Sequence, residues 1–557
     1  MQNRADDRYL GMYVLLASVA VCLLVAPFNS IDPVNLPKLC LLIVLSFIGA
    51  GFAFTKVNFF KSKRNGPVLL VIGIFITLLF LVLVADSRDF SSKFYGTNGR
   101  NTGFAAYLSL SFLFIASVVS ASSKLLKKYA VAVISSGTAL AIYGLAQSQG
   151  HDFYKFGNAY GTNVFGSFGN PNFQSAFMGI TGAVAFTLVV FSSLKIHLKA
   201  GLFTLTLLAI YNVSLSSQQG YLNFAAGFAA AIVVYFFTSG KHTLGWTALI
   251  FASISAMVVL LGILNTGPLA AAIYKSSLQA RGFYWREAGK MMLENPFFGV
   301  GMDGYGDAYL RSRTAEIAAY NSGIAADTAH SIPLDIGSNG GFPLLFAYLS
   351  IVALVLLSIV RIVKRTTAFD VVFTTIVAAW VAYQAQSLIS INQLGLGVWG
   401  WTLSGLIIGY ELNTRPNSET VNHKPVRQAN VSTQKISASA LVFSFVAMSV
   451  GMAIALPPFV AADKFYKALQ SGDANRIEPA AYLKPYDRAR FSYVAQILQS
   501  NNLDSSAISV LRDATRIYPD SIDLWMRWSS IPSAAPADLA RANAEIKRLD
   551  PFNPNLK

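Results

Sequence analysis

Charge is scarce in this 557-residue sequence: Asp, Glu, Lys and Arg make up 13% of it, about half of what soluble domains carry. That scarcity argues against a chain held in water by a charged surface. Cysteine is rarer still. Cys22 and Cys40 are the only two and both lie in apolar stretches, which excludes a disulfide framework or a cysteine-based metal centre. Carboxylates are missing from the interior of every long apolar run, and Asp370 and Glu411 stand only at the edges of two of them. Intramembrane carboxylates mark proton and cation pathways, so their lack weighs against a proton-coupled transporter.

What the sequence has instead is apolar length. Hydrophobic residues make up 54% of the chain and the mean hydropathy is +0.49. A bilayer span needs ~20 mainly apolar residues. Such stretches fall near residues 9–26, 39–54, 68–85, 103–120, 129–147, 173–191, 201–213, 221–238, 244–264, 342–362, 370–386, 394–410 and 436–460. The expected fold is all-α, a polytopic membrane protein with about thirteen transmembrane helices. The seventh stretch is short. The first has a long apolar core and reads as the start of a hairpin, not as a cleaved signal peptide.

Residues 1–264 are thus expected to form helices one to nine, and residues 265–340 a large extracytoplasmic loop. Residues 341–460 would form helices ten to thirteen, and residues 461–557 a soluble helical tail. Lys and Arg concentrate in short cytoplasmic loops. With the N-terminus inside, every inside connection carries at least one, among them Lys63, Lys127, Lys199, Lys241, Lys364 and Lys424. This alternation predicts a C-terminus outside. It also accounts for much of the +16 net charge without any nucleic-acid partner, and contact with anionic membrane lipids fits it.

The tail repeats weakly. Pro485-Tyr-Asp487, Pro519-Asp520 and Asp550-Pro551 each end a helical stretch, at intervals of 34 and 32 residues between the prolines. This spacing resembles tetratricopeptide-type helical hairpins, which bury their apolar faces by stacking. A non-repetitive helical tail is the plainer alternative.

Candidate chemistry gathers in the outside segments. His330 and His151 are the only histidines expected to face outward; His197, His242 and His423 fall in basic inside loops. An imidazole at His330 can accept a hydroxyl proton near neutral pH, or it can simply pack at a helix end. Residues 281–293 form a helix candidate with Arg281, Trp285, Ala288 and Met292 on one face. Arg281 there and Arg100 in a Gly-rich turn could hold a diphosphate through a planar, permanently charged fork, or could meet lipid headgroups. Asn170-Pro171-Asn172 opens the sixth span, where free helix N–H groups favour an anion, though capping explains the motif nearly as well.

The run Arg281-Gly-Phe-Tyr-Trp285-Arg-Glu-Ala, then Glu294-Asn-Pro296-Phe-Phe-Gly299-Val-Gly301, Ala329-His330 and Gly340-Gly-Phe-Pro, resembles the signature of the O-antigen ligase and polymerase superfamily. Tyr143-Gly-Leu-Ala-Gln147 and Phe168-Gly-Asn-Pro-Asn172 resemble the branch that often carries tetratricopeptide tails. The resemblance implies a glycosyltransferase of the bacterial cytoplasmic membrane. It would move a glycan from a polyprenyl-diphosphate-linked donor to a hydroxyl of a lipid, glycan or protein acceptor. It implies His330 as the base that activates that hydroxyl. Arg281, and less strongly Arg100, would neutralise the departing diphosphate, with no metal or other cofactor required. Ser217-Gln218-Gln219-Gly220 departs from the Ser-Arg-Gly usual in the family; Gln218, like Asn170 and Asn172, could bond phosphate or sugar without supplying charge. A polymerase of the same superfamily, a lipid-linked glycan transporter and a membrane scaffold are the alternatives.

Overall fold

The computed structural model describes the chain except residues 1–3, 27–30, 153–162, 265, 269–275, 321–325, 417–435 and 554–557. Parts of the expected large loop fall outside the described residues. So does the expected inside segment with His423, Lys424, Arg427 and Lys435.

The described chain is all helix and connection. Among the described residues, ten helices are long and apolar enough to cross a membrane. Three further expected spans are helical but stand outside that group: Arg4–Leu23, Phe104–Ser120 with its 17 residues, and Leu394–Thr414. The stretch that looked short, residues 201–213, lies in a full helix of 21 residues, Ile196–Ser216. His197 and Lys199 begin its first turns, and their polarity hid that end from a hydropathy reading.

Helices pack closely where side chains are small, the usual means in an apolar solvent. Leu394–Thr414 lies against Phe104–Ser120, and a Cβ on Gly405 or Gly409 would stand 2.4 or 2.2 Å from the carbonyl oxygens of Phe114 and Val118. Outward faces are apolar: Trp246, Ile250, Phe251 and Ile254 are exposed on His242–Ile263.

The two ends of the bundle sort the charges. At one end Lys56 pairs with Asp7 at 2.9 Å, Arg365 with Glu411 at 2.9 Å, and Arg64 bonds the Arg415 carbonyl at 2.9 Å. These are all residues expected on one side. At the other end the 86–102 segment meets the large loop and the tail.

The last long helix, Ala438–Gln470, runs into the tail through Pro457 and Pro458. Pro458 has no N–H for the carbonyl four residues back; the Tyr95 hydroxyl donates to that Ile454 carbonyl at 2.9 Å instead. Beyond it, Arg488–Ser500 pairs with Asp504–Ile517 and Ile522–Ser529 with Pro536–Leu549. These helices close over a core that includes Phe491, Leu498, Leu511, Trp525 and Trp528. The second pair opens with a helix of 8 residues where the first has 13, so a regular tetratricopeptide-like repeat is not evident.

What recurs is the proline–aspartate turn, and each copy faces the rest of the protein. Asp487 accepts from the Asn98 amide at 2.7 Å, Asp520 lies 3.6 Å from Arg311, and Asp550 takes Arg313 in a two-pronged bond at 2.8 and 2.9 Å. Arg488 adds an ion pair to Asp307, which also meets Arg88 at 3.4 Å. The signature motifs all precede the tail in sequence, yet it is docked on the loop that carries them.

Arg313 and Asp550 are only 2% and 4% exposed. Asp550→Asn should therefore leave a buried guanidinium without its counter-charge, costing about 3–5 kcal/mol. Thermal unfolding of the detergent-solubilised protein should show a lowered first transition, with the tail released early in limited proteolysis. Wild-type behaviour in both assays would contradict the docking.

Candidate functional site

The amphipathic segment is a helix, Ser276–Glu294, longer at its N-terminus than the expected 281–293. Arg281, Tyr284, Ala288 and Met292 are buried on its inner side, as their spacing of three, four and four residues demands. Trp285 is half-buried. The Tyr305 hydroxyl donates to the Tyr284 carbonyl at 2.9 Å and Lys290 bonds the Ser312 carbonyl at 2.7 Å, joining this helix to Tyr305–Ser312.

The Asn-Pro turn and the Gly-Gly pair prove to be one scaffold. Helix Ile332–Arg365 is broken at Gly341, whose φ is 72°. The Phe342 N–H, left outside the regular ladder, donates to the Pro296 carbonyl at 2.8 Å, and the Val300 N–H donates to Ser338 at 2.8 Å. Gly299 has φ 61°, and a Cβ there would stand 2.3 Å from the Ser338 carbonyl oxygen. Only glycine meets both conditions. The Asn339 side chain accepts from the Gly304 and Tyr305 N–H groups at 3.1 and 3.0 Å. This clamp fixes the short helical segment that follows His330.

His330 sits just before that segment with φ 53°. Its Nδ1 lies 3.2 Å from the Thr328 carbonyl oxygen and 3.1 Å from the Thr328 hydroxyl. A carbonyl can only accept, which favours the tautomer with the proton on Nδ1 and the lone pair on Nε2. The ring lies over Tyr284 at 5.1 Å between centroids. Asp335 accepts from the preceding Ala329 N–H at 2.6 Å and holds the peptide in place.

Burial pulls the His330 pKa down to about 4; the bond to Thr328 opposes that, and the positive charge of Arg281 adds to it. Arg281 is lowered by the same burial, although a guanidinium remains charged throughout the physiological range. Its Nε has no hydrogen-bond partner among the described residues. A buried, permanently charged donor with an unfilled N–H, beside an imidazole, is suited to an anion that arrives with a substrate.

The remaining expected residues divide. Arg100 grips Asp327 through Nε at 2.6 Å and Nη2 at 3.0 Å, so its first partner is a protein carboxylate. Burial alone would raise Asp327, but the Arg100 guanidinium holds it below the usual carboxylate range. This pair stands between two cavities: one of about 290 Å³ lined by Asp327, Thr97, Asp307 and Arg488, and one of about 70 Å³ lined by Arg100 and Asn170. Asn170 caps helix Pro171–Phe191 by accepting from the Asn172 N–H at 2.9 Å. Gln218 is exposed. Its neighbour Gln219 is the buried one, donating to the Asn172 carbonyl and to Gln386 at 3.0 Å. His151 is exposed at the end of helix Ser123–Ser148.

Sequence reasoning missed three side chains here. Asp327, three residues before His330, carried a charge but no motif. Asp303 lies in the Gly-rich turn; burial raises its pKa, and it accepts from the Thr97 N–H at 2.6 Å and the Thr102 hydroxyl at 3.1 Å. Glu287, on the same helix as Arg281, is pushed up by burial to about 7, against the pull of Lys290 and Arg286. No group of three or more His, Cys, Asp and Glu side chains is placed to hold a metal among the described residues.

Residues 202–349 match the family model described as O-antigen ligase. The matched segment takes in Gln218, Arg281 and His330, and leaves out Arg100, Asn170 and the tail. This part of the chain is similar to a family that handles glycan transfer, within a multi-helix membrane protein. No curated protein matches the chain.

Because the His330 pKa is lowered, protonation does not set in as pH falls through 6.5; it begins only on approach to about 4. Imidazole-dependent activity should therefore hold from about pH 8 down to about pH 5. An NMR titration of ring-labelled histidine should give one resonance with this acid midpoint, missing from a His330→Gln variant. A midpoint near 6.5 would contradict the burial argument.

Proposed function

We propose that this protein is an O-antigen ligase-like glycosyltransferase, which moves a glycan from a polyprenyl-diphosphate-linked donor to an acceptor hydroxyl at the outer face of the bacterial cytoplasmic membrane. One observation carries the reading: His330, with Nδ1 against the Thr328 carbonyl and Nε2 left to accept, lies within the field of Arg281, a buried guanidinium whose Nε is unfilled. In the reaction, the acceptor oxygen bonds to the anomeric carbon and its proton passes to His330 Nε2. The bond from that carbon to the diphosphate breaks, and the electron pair leaves with the diphosphate. Arg281 stabilises the charge that grows there, often the largest single contribution to catalysis. Arg100 acts less directly, through Asp327, and also borders the smaller cavity. On this reading the guanidinium supplies the charge that a metal supplies in other transferases.

The acceptor reaches His330 from the loop end of the bundle, which places that end and the tail outside and the Arg64–Glu411–Arg415 end inside. Single cysteines at the exposed positions Lys63, Lys364 and Arg286, in a background lacking Cys22 and Cys40, test this. A membrane-impermeant maleimide should label only the Arg286 position in intact cells. Labelling of Lys63 or Lys364 there would reverse the orientation.

Activity is tested with purified protein and a polyprenyl-diphosphate glycan. His330→Ala should lower transfer by roughly 10²–10⁴-fold with unchanged membrane abundance. Arg281→Lys keeps the charge but loses the planar fork, and should cost about tenfold or more, since hydrogen bonds to charged groups contribute roughly 1.5–3 kcal/mol. Transfer at the wild-type rate by His330→Ala would refute the assignment.

A further inference from the structure

The cavity of about 70 Å³ beside Arg100 has a composition that the transfer reaction does not by itself explain. Two helices of 21 residues, Pro171–Phe191 and Leu394–Thr414, begin at its wall, capped by Asn170 and Gln393. Each helix directs the positive end of its dipole toward its own start. Two such ends converging on one small space beside a guanidinium make a positive potential there.

The amides at the wall point to a ligand. Gln393 is 3% exposed. Its Oε1 accepts from the Leu396 N–H at 3.2 Å, which fixes the orientation of the amide, and its Nε2 has no partner. Asn392 is 6% exposed; its Oδ1 makes no hydrogen bond, and the Tyr107 hydroxyl beside it can take only one of the two Nδ2–H groups. Buried polar atoms normally find partners, and an N–H left without one at a cavity wall marks the place for an acceptor. An anionic oxygen acceptor would satisfy such a donor and the positive potential together, and a phosphate group supplies several such oxygens.

We propose that Asn392 and Gln393, with Arg100 and Asn170 around them, form a binding site for a phosphate group. Its oxygens accept from the Gln393 Nε2–H and Asn392 Nδ2–H groups at the meeting point of the two helix starts. The site belongs to the same end of the bundle as His330, to which it is tied through the Arg100–Asp327 bond. For the carrier of that phosphate the inference rests on the donor reading above, a diphosphate-linked lipid. A phospholipid headgroup offers the same chemistry.

The full-length protein, purified in a maltoside detergent free of phospholipid, is titrated with inorganic pyrophosphate by calorimetry. In a second arm it is titrated with phosphatidylglycerol in mixed micelles. Gln393→Glu keeps the size and the capping oxygen but replaces the donor with negative charge. Asn392→Leu keeps the approximate volume and removes the donor without adding charge. The wild type should bind pyrophosphate, and each variant should bind at least tenfold more weakly. Competition by phosphatidylglycerol would show that headgroups use the same pocket, and binding of phosphatidylglycerol alone would make the headgroup its occupant; both leave the phosphate site standing. Binding of neither ligand to the wild type, or undiminished binding to both variants, overturns it. No transfer takes place in this assay, so a protein that binds pyrophosphate but transfers no glycan would remove the proposed function and keep the site.

Discussion

The ion pair between Arg100 and Asp327 joins two segments separated by 227 residues and stands between two cavities. One partner belongs to the turn after the third long helix and the other to the loop that ends at His330. Asp303 ties the same two segments a second time, through Thr97 and Thr102. The position of the histidine therefore depends on more than its own loop. With the Gly341 break clamped by the Asn-Pro turn behind it, the Ala329–His330 peptide is fixed from both sides.

That rigidity has an electrostatic consequence. An imidazole held against Tyr284 is poorly hydrated, and the positive charge of Arg281 adds to that effect against the opposing pull of Asp327, so it stays neutral. The Thr328 carbonyl favours the tautomer with the lone pair on Nε2. Arg281 stays charged in the same environment because a guanidinium does not give up its proton. The site thus holds a neutral base beside a fixed cation, a combination that suits deprotonating a hydroxyl while a phosphate departs.

Much of this could be read from the sequence. Apolar length gave the long helices, and the spacing of Arg281, Ala288 and Met292 gave the buried face of the loop helix, because both are local properties of the chain. Pairings across the fold could not be read. Arg100 looked available because its partner is 227 residues away. Gln218 and Gln219 are adjacent amides, and only helix phase decides that the second turns inward to Asn172 and Gln386. Asn392 and Gln393 sat in a short link with no pattern around them. The tail showed a spacing but not its use: the recurring turns supply the aspartates that hold it to the loop, and the helix pairs are too unequal to form a regular repeat.

The proposed reaction requires the donor's reacting carbon to lie between His330 and Arg281. A cryo-EM structure of the protein with a non-reactive polyprenyl-diphosphate glycan tests it most directly. A diphosphate oxygen should lie within hydrogen-bonding distance of Arg281 Nε, and the first sugar should face His330 Nε2 with room between them for a hydroxyl. A diphosphate bound away from Arg281, with no open path from His330 to the first sugar, would contradict it.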